Sequence, residues 1–278
     1  MSSAKKALIL LSGIVFIAIA GIGAVFAVFV KLAEVQFTPG AEIYLRDVYV
    51  VIDQTLSMAQ GQRREARDML KEEILREMGP GDRIFCYRIG SDFRESSDRV
   101  FTSSRDLPKI YENITAVAPA DLPEAFKSDL LVRWDRFSRE RSGWIERLDN
   151  LDSPQGNYSD YLGTLEEIAR RINSPADPNL GREKWLIVLG DLKHEPVLSS
   201  PPVPGSNEKR QFHEVHIHMV YPGGIHQRSE QERIERFWKQ FFTARGAKTV
   251  NFISYDGFIG HFPRHQVPGP ETLGLAGK

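Results

Sequence analysis

Apolar residues fall into short unbroken runs separated by longer stretches where they recur every three or four positions. Val48-Tyr-Val-Val-Ile52 is one such run, closed abruptly by Asp53. A β-branched run of this length, followed by a helical pattern, predicts a buried parallel strand whose carboxyl end opens into a loop. Gln60 to Met78 is charge-rich, and Ala66, Met69, Leu70, Ile74, Leu75 and Met78 lay one apolar stripe along a helix. Gly79-Pro-Gly81 stops it. Asp82 to Gly90 predicts a second strand, and Arg99 to Thr102 a short antiparallel strand at the sheet edge. From Leu122 to Leu148, Phe126, Leu130, Trp134, Phe137, Trp144 and Ile145 share helical spacing. Arg133, Arg136, Arg139, Arg141 and Arg147 supply the other side of that helix, read as a solvated face, with a partner-binding or lipid-facing surface as the alternative.

The alternation continues to the end. Gly156 to Asp160 is a turn, and Tyr161 to Ile172 is helical. Lys184 to Asp191 is a second buried strand that also ends in an aspartate. Leu198 to Glu208, rich in proline, is an exposed loop. Glu214 to Tyr221 is a strand, Gln231 to Ala244 a helix, and Thr249 to Tyr255 the last strand. Beyond Pro263, proline and glycine predict a loose tail. Strands alternating with helices give an α/β fold: a doubly wound, Rossmann-like, mostly parallel sheet with helices on both faces.

The amino terminus has a different pattern. Ala7 to Val30 is 24 residues without a charged side chain, enough for one transmembrane helix. A cleaved signal peptide is the alternative, with Ala18-Ile-Ala20 as a small-residue cleavage site, but the apolar run continues ten residues past it. Lys5 and Lys6 precede the span with no acid to offset them, which places the amino terminus in the cytoplasm and the rest in the periplasm or outside the cell. The expected organisation is a cytoplasmic terminus (1–6), a transmembrane helix (7–30), a stalk (31–45), one domain (46–260) and a flexible tail (261–278).

Composition narrows the function. With 36 basic and 37 acidic residues, the net charge of −1 gives no electrostatic case for nucleic acid. Cys86 is the only cysteine, which excludes an intrachain disulfide and a cysteine-cluster metal site. Neither Gly-x-Gly-x-x-Gly after the first strand nor Gly-x-x-x-x-Gly-Lys occurs, and Gly-x-Ser-x-Gly is absent, so nucleotide-binding and hydrolase readings lack their key residues. Asn113 and Asn157 match glycosylation acceptors, relevant only on a eukaryotic secretory route.

The candidate chemistry lies at the two aspartate-ended strands. Asp53, Thr55 and Ser57 follow at steps of two, a set of hard oxygen donors suited to Mg²⁺ or a similar ion. The Asp-x-Thr-x-Ser spacing resembles the first motif of the metal-ion-dependent adhesion site of von Willebrand factor A domains. Ser159, opening a helix, and Asp191, closing Trp-Leu-Ile-Val-Leu-Gly, stand in the order of that site's later motifs. Ser159 takes the place of the usual Thr, Leu56 that of a frequent Gly, and Gly190 and Leu192 those of the Thr and Gly around the last Asp. The resemblance implies that Thr55 and Ser57 ligate directly. Ser159 would do so directly or through water, Asp53 through its carboxylate or a bridging water, and Asp191 mostly through water. It implies Mg²⁺ (or Mn²⁺ or Ca²⁺) as cofactor, a partner protein that offers an acidic side chain to the metal, and no catalysis. Helix capping by the same hydroxyls and carboxylates is the competing reading. A structural scaffold without a working metal site is the runner-up function. A metalloenzyme using His213, His216 and His218, with His194 near the adhesion loop, ranks below it.

Overall fold

The computed structural model of the chain describes residues 42–43, 45–89, 99–102, 107–108, 122, 124–151, 157, 159–173, 183–194, 201–205, 208–224, 227–265 and 267–273. One sheet holds β1 (Arg46–Asp53), β2 (Asp82–Ile89), β3 (Arg99–Thr102), β4 (Glu183–Leu189), β5 (Val215–Tyr221) and β6 (Thr249–Ser254). Their order across it is β3-β2-β1-β4-β5-β6. All neighbours pair in parallel except β3, which runs antiparallel to β2 at the edge. Glu42–Ile43 and Leu107–Pro108 form a separate two-residue ribbon.

The pleat of the central strand explains the two layers of helices. Val48, Val50 and Ile52 face one side, where they meet α1 (Gln60–Met69) and α2 (Glu124–Asp149) through Ala66, Met69, Trp134, Phe137 and Trp144. Tyr49 and Val51 face the other, against α3 (Tyr161–Ile172) and α4 (Arg228–Ala244) through Leu165, Ile168, Trp238 and Phe241. A strand apolar on both faces needs cover on both, which is the doubly wound arrangement expected.

Charge fixes the register of β1 on β2. Arg46 lies opposite Asp82 and Asp47 opposite Arg83. Arg46 Nε donates to Asp82 Oδ1 at 2.9 Å and Arg83 Nε to Asp47 Oδ1 at 2.7 Å, all four residues being buried. A slip of one residue would set Arg46 against Arg83 or Asp47 against Asp82, like charges in a dry interface.

Several boundaries differ from the expected ones. β4 ends at Leu189, so Asp191 sits in the loop beyond it. α1 continues as a π-helix over Leu70–Leu75, α4 begins at Arg228, and Tyr255 opens a four-residue helix, α5 (Tyr255–Phe258), where the last strand was expected to end. The loose tail expected from Pro263 is instead packed through Leu273. Val267 and Leu273 are buried against Leu45, Leu122 and Leu130. Arg46 Nη1 donates to the Pro263 carbonyl at 2.6 Å, and Trp134 Nε1 to that of Pro268 at 2.8 Å. The approach of Trp134 leaves no room for a side chain at Gly79, where a Cβ would lie 2.8 Å from the indole. No helix among the described residues is long and apolar enough to cross a membrane; the expected span, 7–30, lies outside them.

Candidate metal centre

The chain leaves β1 towards β2 and returns to β4 on the other side of β1, so the strand order reverses between β1 and β4. Loops diverge at such a point and leave a crevice outside the carboxyl ends of the strands. Asp53 ends β1 and Asp191 follows β4 by two residues. The amino end of α3 brings Ser159 and Tyr161 to the same place.

Three hydroxyls form a triangle there. Thr55 Oγ1 lies 2.7 Å from Ser57 Oγ and 2.7 Å from Ser159 Oγ, and the two serine oxygens are 3.1 Å apart. Behind the triangle, Asp53 takes the protons. Its Oδ1 accepts the Thr55 amide at 2.9 Å and the Thr55 hydroxyl at 2.7 Å; its Oδ2 accepts the Ser159 hydroxyl at 2.9 Å and the Tyr161 hydroxyl at 2.8 Å. With their protons drawn to Asp53, Thr55 and Ser159 turn lone pairs away from it. Thr55 and Ser159 are fully buried, whereas Ser57 and its neighbour Leu56, 57 % accessible, reach solvent.

The competing assignment for the hydroxyls was helix capping. Ala59, just before α1, offers no side-chain cap, its own amide being accepted by Gln62 Oε1 at 3.0 Å, and α3 is capped by Asp160, which accepts from the Gly163 amide at 3.0 Å. Thr55, Ser57 and Ser159 therefore cap neither helix; Thr55 and Ser159 donate to Asp53, and Ser57 lies within hydrogen-bond reach of both. The aspartates do brace their own turns: Asp53 accepts from the Thr55 amide, and Asp191 Oδ1 from the Lys193 amide at 2.9 Å.

Three residues that are not among the predicted ligands support the centre. Tyr161 ties all three loops together. Its hydroxyl donates to Asp53 Oδ2, lies 3.4 Å from Asp191 Oδ1, and accepts the Leu192 amide at 3.0 Å. Burial first, and then the Asp53 and Asp191 carboxylates, push its pKa well above 10, so it stays a donor. Gly190 makes room for that hydroxyl, since a Cβ there would stand 2.3 Å from it and 2.7 Å from Asp53 Cβ. Arg63 holds the first loop from α1, donating to the carbonyls of Thr55 at 3.1 Å and Met58 at 2.5 Å.

The donor set fits a small hard cation. Adjacent ligands of an octahedral Mg²⁺, at Mg–O of about 2.0–2.1 Å, stand about 2.9–3.0 Å apart, the scale of the hydroxyl triangle's edges. Asp53 is fully buried, and among the described residues its four donors are all neutral. A buried carboxylate without a counter-charge is costly, and a cation bound beside it offsets that cost.

The histidine strand is organised differently. His216 and His218 share a face of β5, as their spacing requires, and both stack on Trp185 of β4 with centroids 4.9 and 5.1 Å away. His218 also meets His261 edge-on at 5.5 Å, while His213 lies before the strand in a bridge to Ala247. Among the described residues, no group of three or more His, Cys, Asp or Glu side chains is placed to hold a metal ion.

No protein-family model and no curated protein matches the chain. Among solved structures, it is similar to a von Willebrand factor type A protein from Catenulispora acidiphila, with 14 % identity and a TM-score of 0.49 over 79 % of this chain and 41 % of that one. It is also similar to the SpRpn10 VWA domain, with 14 % identity and a TM-score of 0.41 over 81 % of this chain and 99 % of that one. The chain thus spans about two fifths of the first protein's length.

Proposed function

We propose that this chain is a von Willebrand factor A-like binding protein whose carboxyl-end loops hold Mg²⁺ or a similar ion, and that it joins a partner protein through an acidic side chain. Thr55, Ser57 and Ser159 would hold the ion directly, with Asp53 and Asp191 behind them. The observation that carries this reading is the hydroxyl triangle at Asp53: three hydroxyls from two loops, none capping a helix, beside a buried carboxylate with only neutral donors. A cation held mainly by neutral oxygens stays electron-poor and attracts a further carboxylate. The function this reading assigns to the centre is binding. An assembly or adhesion role outside the cytoplasm, on an amino-terminal anchor over residues 7–30, completes it.

The scaffold alternative is favoured by one feature: the same hydrogen bonds close the three loops on one another with no ion required. Titration calorimetry separates the two. The full chain in detergent, titrated with Mg²⁺, Mn²⁺ and Ca²⁺, is expected to bind at least one ion at a single site, and Asp53→Ala and Ser57→Ala to lose that binding. Binding that survives Asp53→Ala unchanged, or no binding by the wild type, favours the scaffold.

A further inference from the structure

We propose that Tyr161 sets which divalent cation the centre prefers, by occupying carboxylate oxygens that a larger ion needs. The inference rests on the metal-binding reading above. An ionised carboxylate offers about four lone-pair sites. In Asp53 all four are engaged, by the Thr55 amide and hydroxyl on Oδ1 and by the Ser159 and Tyr161 hydroxyls on Oδ2. On Asp191, Oδ1 already accepts the Lys193 amide and has the Tyr161 hydroxyl 3.4 Å away. The Asp53 carboxylate thus has no lone pair left over for an ion, which meets mainly neutral hydroxyls and water. Mg²⁺ accepts six ligands and keeps several waters, whereas Ca²⁺ seeks six to eight oxygens and favours carboxylates, often both oxygens of one.

Tyr161 is the donor to Asp53 Oδ2 that stands outside the hydroxyl triangle. Thr55 and Ser159 each belong to the triangle as well as bonding Asp53, so their removal takes away an ion ligand. Loss of the phenol oxygen alone leaves the triangle whole and frees a lone pair on Asp53. The ring would still pack against Trp238, whose centroid lies 5.8 Å away, and Trp238 would still hold the loop through its Nε1 bond to the Leu192 carbonyl at 2.8 Å. Tyr161 therefore acts as a positioning residue: it touches no ion itself and limits what the carboxylates contribute.

The test compares Mg²⁺ and Ca²⁺ dissociation constants for the full chain, as wild type, as Tyr161→Phe, and with 4-aminophenylalanine at 161, which keeps a donor on the ring. Tyr161→Phe is expected to shift the Mg²⁺-to-Ca²⁺ preference about tenfold or more towards Ca²⁺, within the range usual for residues that orient ligands. The 4-aminophenylalanine chain, which retains the donor should Tyr161→Phe not fold, is expected to keep the wild-type preference. Equal weakening of both ions in Tyr161→Phe means a purely structural role and overturns the inference. A shift towards Ca²⁺ despite the amino group overturns it too. Wild-type binding that Asp53→Ala abolishes but Tyr161→Phe leaves at the same ratio sinks this inference alone. A wild type that binds neither ion sinks it together with the metal reading.

Discussion

At Leu192, backbone and packing pull in opposite directions. Its φ is 62°, a left-handed conformation that costs a residue with a Cβ about 1–2 kcal/mol. Glycine would carry no such penalty, and glycine is what the adhesion-site pattern has at this position. The side chain, however, is 1 % exposed in the core beneath α4, and truncating a buried leucine costs about 2–5 kcal/mol. Packing therefore outweighs strain. Leu192→Gly is expected to lower the unfolding free energy by about 1–3 kcal/mol despite relieving the backbone. Chemical denaturation checks this, and a gain in stability would show that strain outweighs burial. The same balance explains what was readable at residue scale. Asp53, Thr55 and Ser57 announce themselves by oxygen chemistry at steps of two, Ser159 and Asp191 only through the resemblance to the adhesion-site motifs, and the structure brings these side chains together. Tyr161, Gly190 and Arg63 do not: a tyrosine at the start of an apolar stripe reads as core, and only the closeness of two loops in space reveals what its hydroxyl does.

At the scale of elements, β5 combines a core face that periodicity exposes with a second face that it does not. Val215, Ile217 and Met219 alternate with His216 and His218, and that alternation was legible. The partners of the histidines were not, because Trp185 and His261 come from a neighbouring strand and from the segment after α5. The ends of elements were the least legible: α5 is opened by Ser254 Oγ, which accepts the Gly257 amide at 3.3 Å, and apolar periodicity carries no trace of such a cap. The histidine face has a measurable consequence. His218 is 3 % exposed, and burial, aided by the neighbouring His261 and His216, lowers its pKa from 6.5 to about 4. Burial also lowers those of His216 and His265. The unfolded chain takes up these protons first, so stability is fully present above pH 6.5 and is lost as pH falls towards 4. For His218 alone the loss reaches about 3 kcal/mol. Denaturation at pH 7 and pH 4.5 is expected to show it, with a smaller difference in His218→Phe. An equal difference in that variant would assign the loss to other groups.

At the scale of the whole molecule, the two ends of the sheet have different tasks. The amino ends of β1 and β2 hold the buried pairs Arg46–Asp82 and Arg83–Asp47, and the segment after α5 is fastened there through Arg46 and Trp134. Leu45, where the chain enters the domain, packs into the same end with Val267 and Leu273. The candidate centre is at the opposite end, one strand length away. β1 has eight residues, and at about 3.3 Å per residue that is about 23 Å from Arg46 to Asp53. On the proposed anchor over residues 7–30, Leu45 at the braced end would lie towards the bilayer and Ser57 and Leu56 away from it, the orientation a binding loop needs to meet a partner. That geometry is useful only if the domain lies where the lysine asymmetry of the amino terminus puts it. Protease added to cells whose inner membrane is intact, and whose outer layers are permeable, is then expected to remove the domain while an epitope tag before Lys5 stays protected. A domain that resists until the inner membrane is broken would place it in the cytoplasm and leave the loop-borne centre to meet a partner on that side.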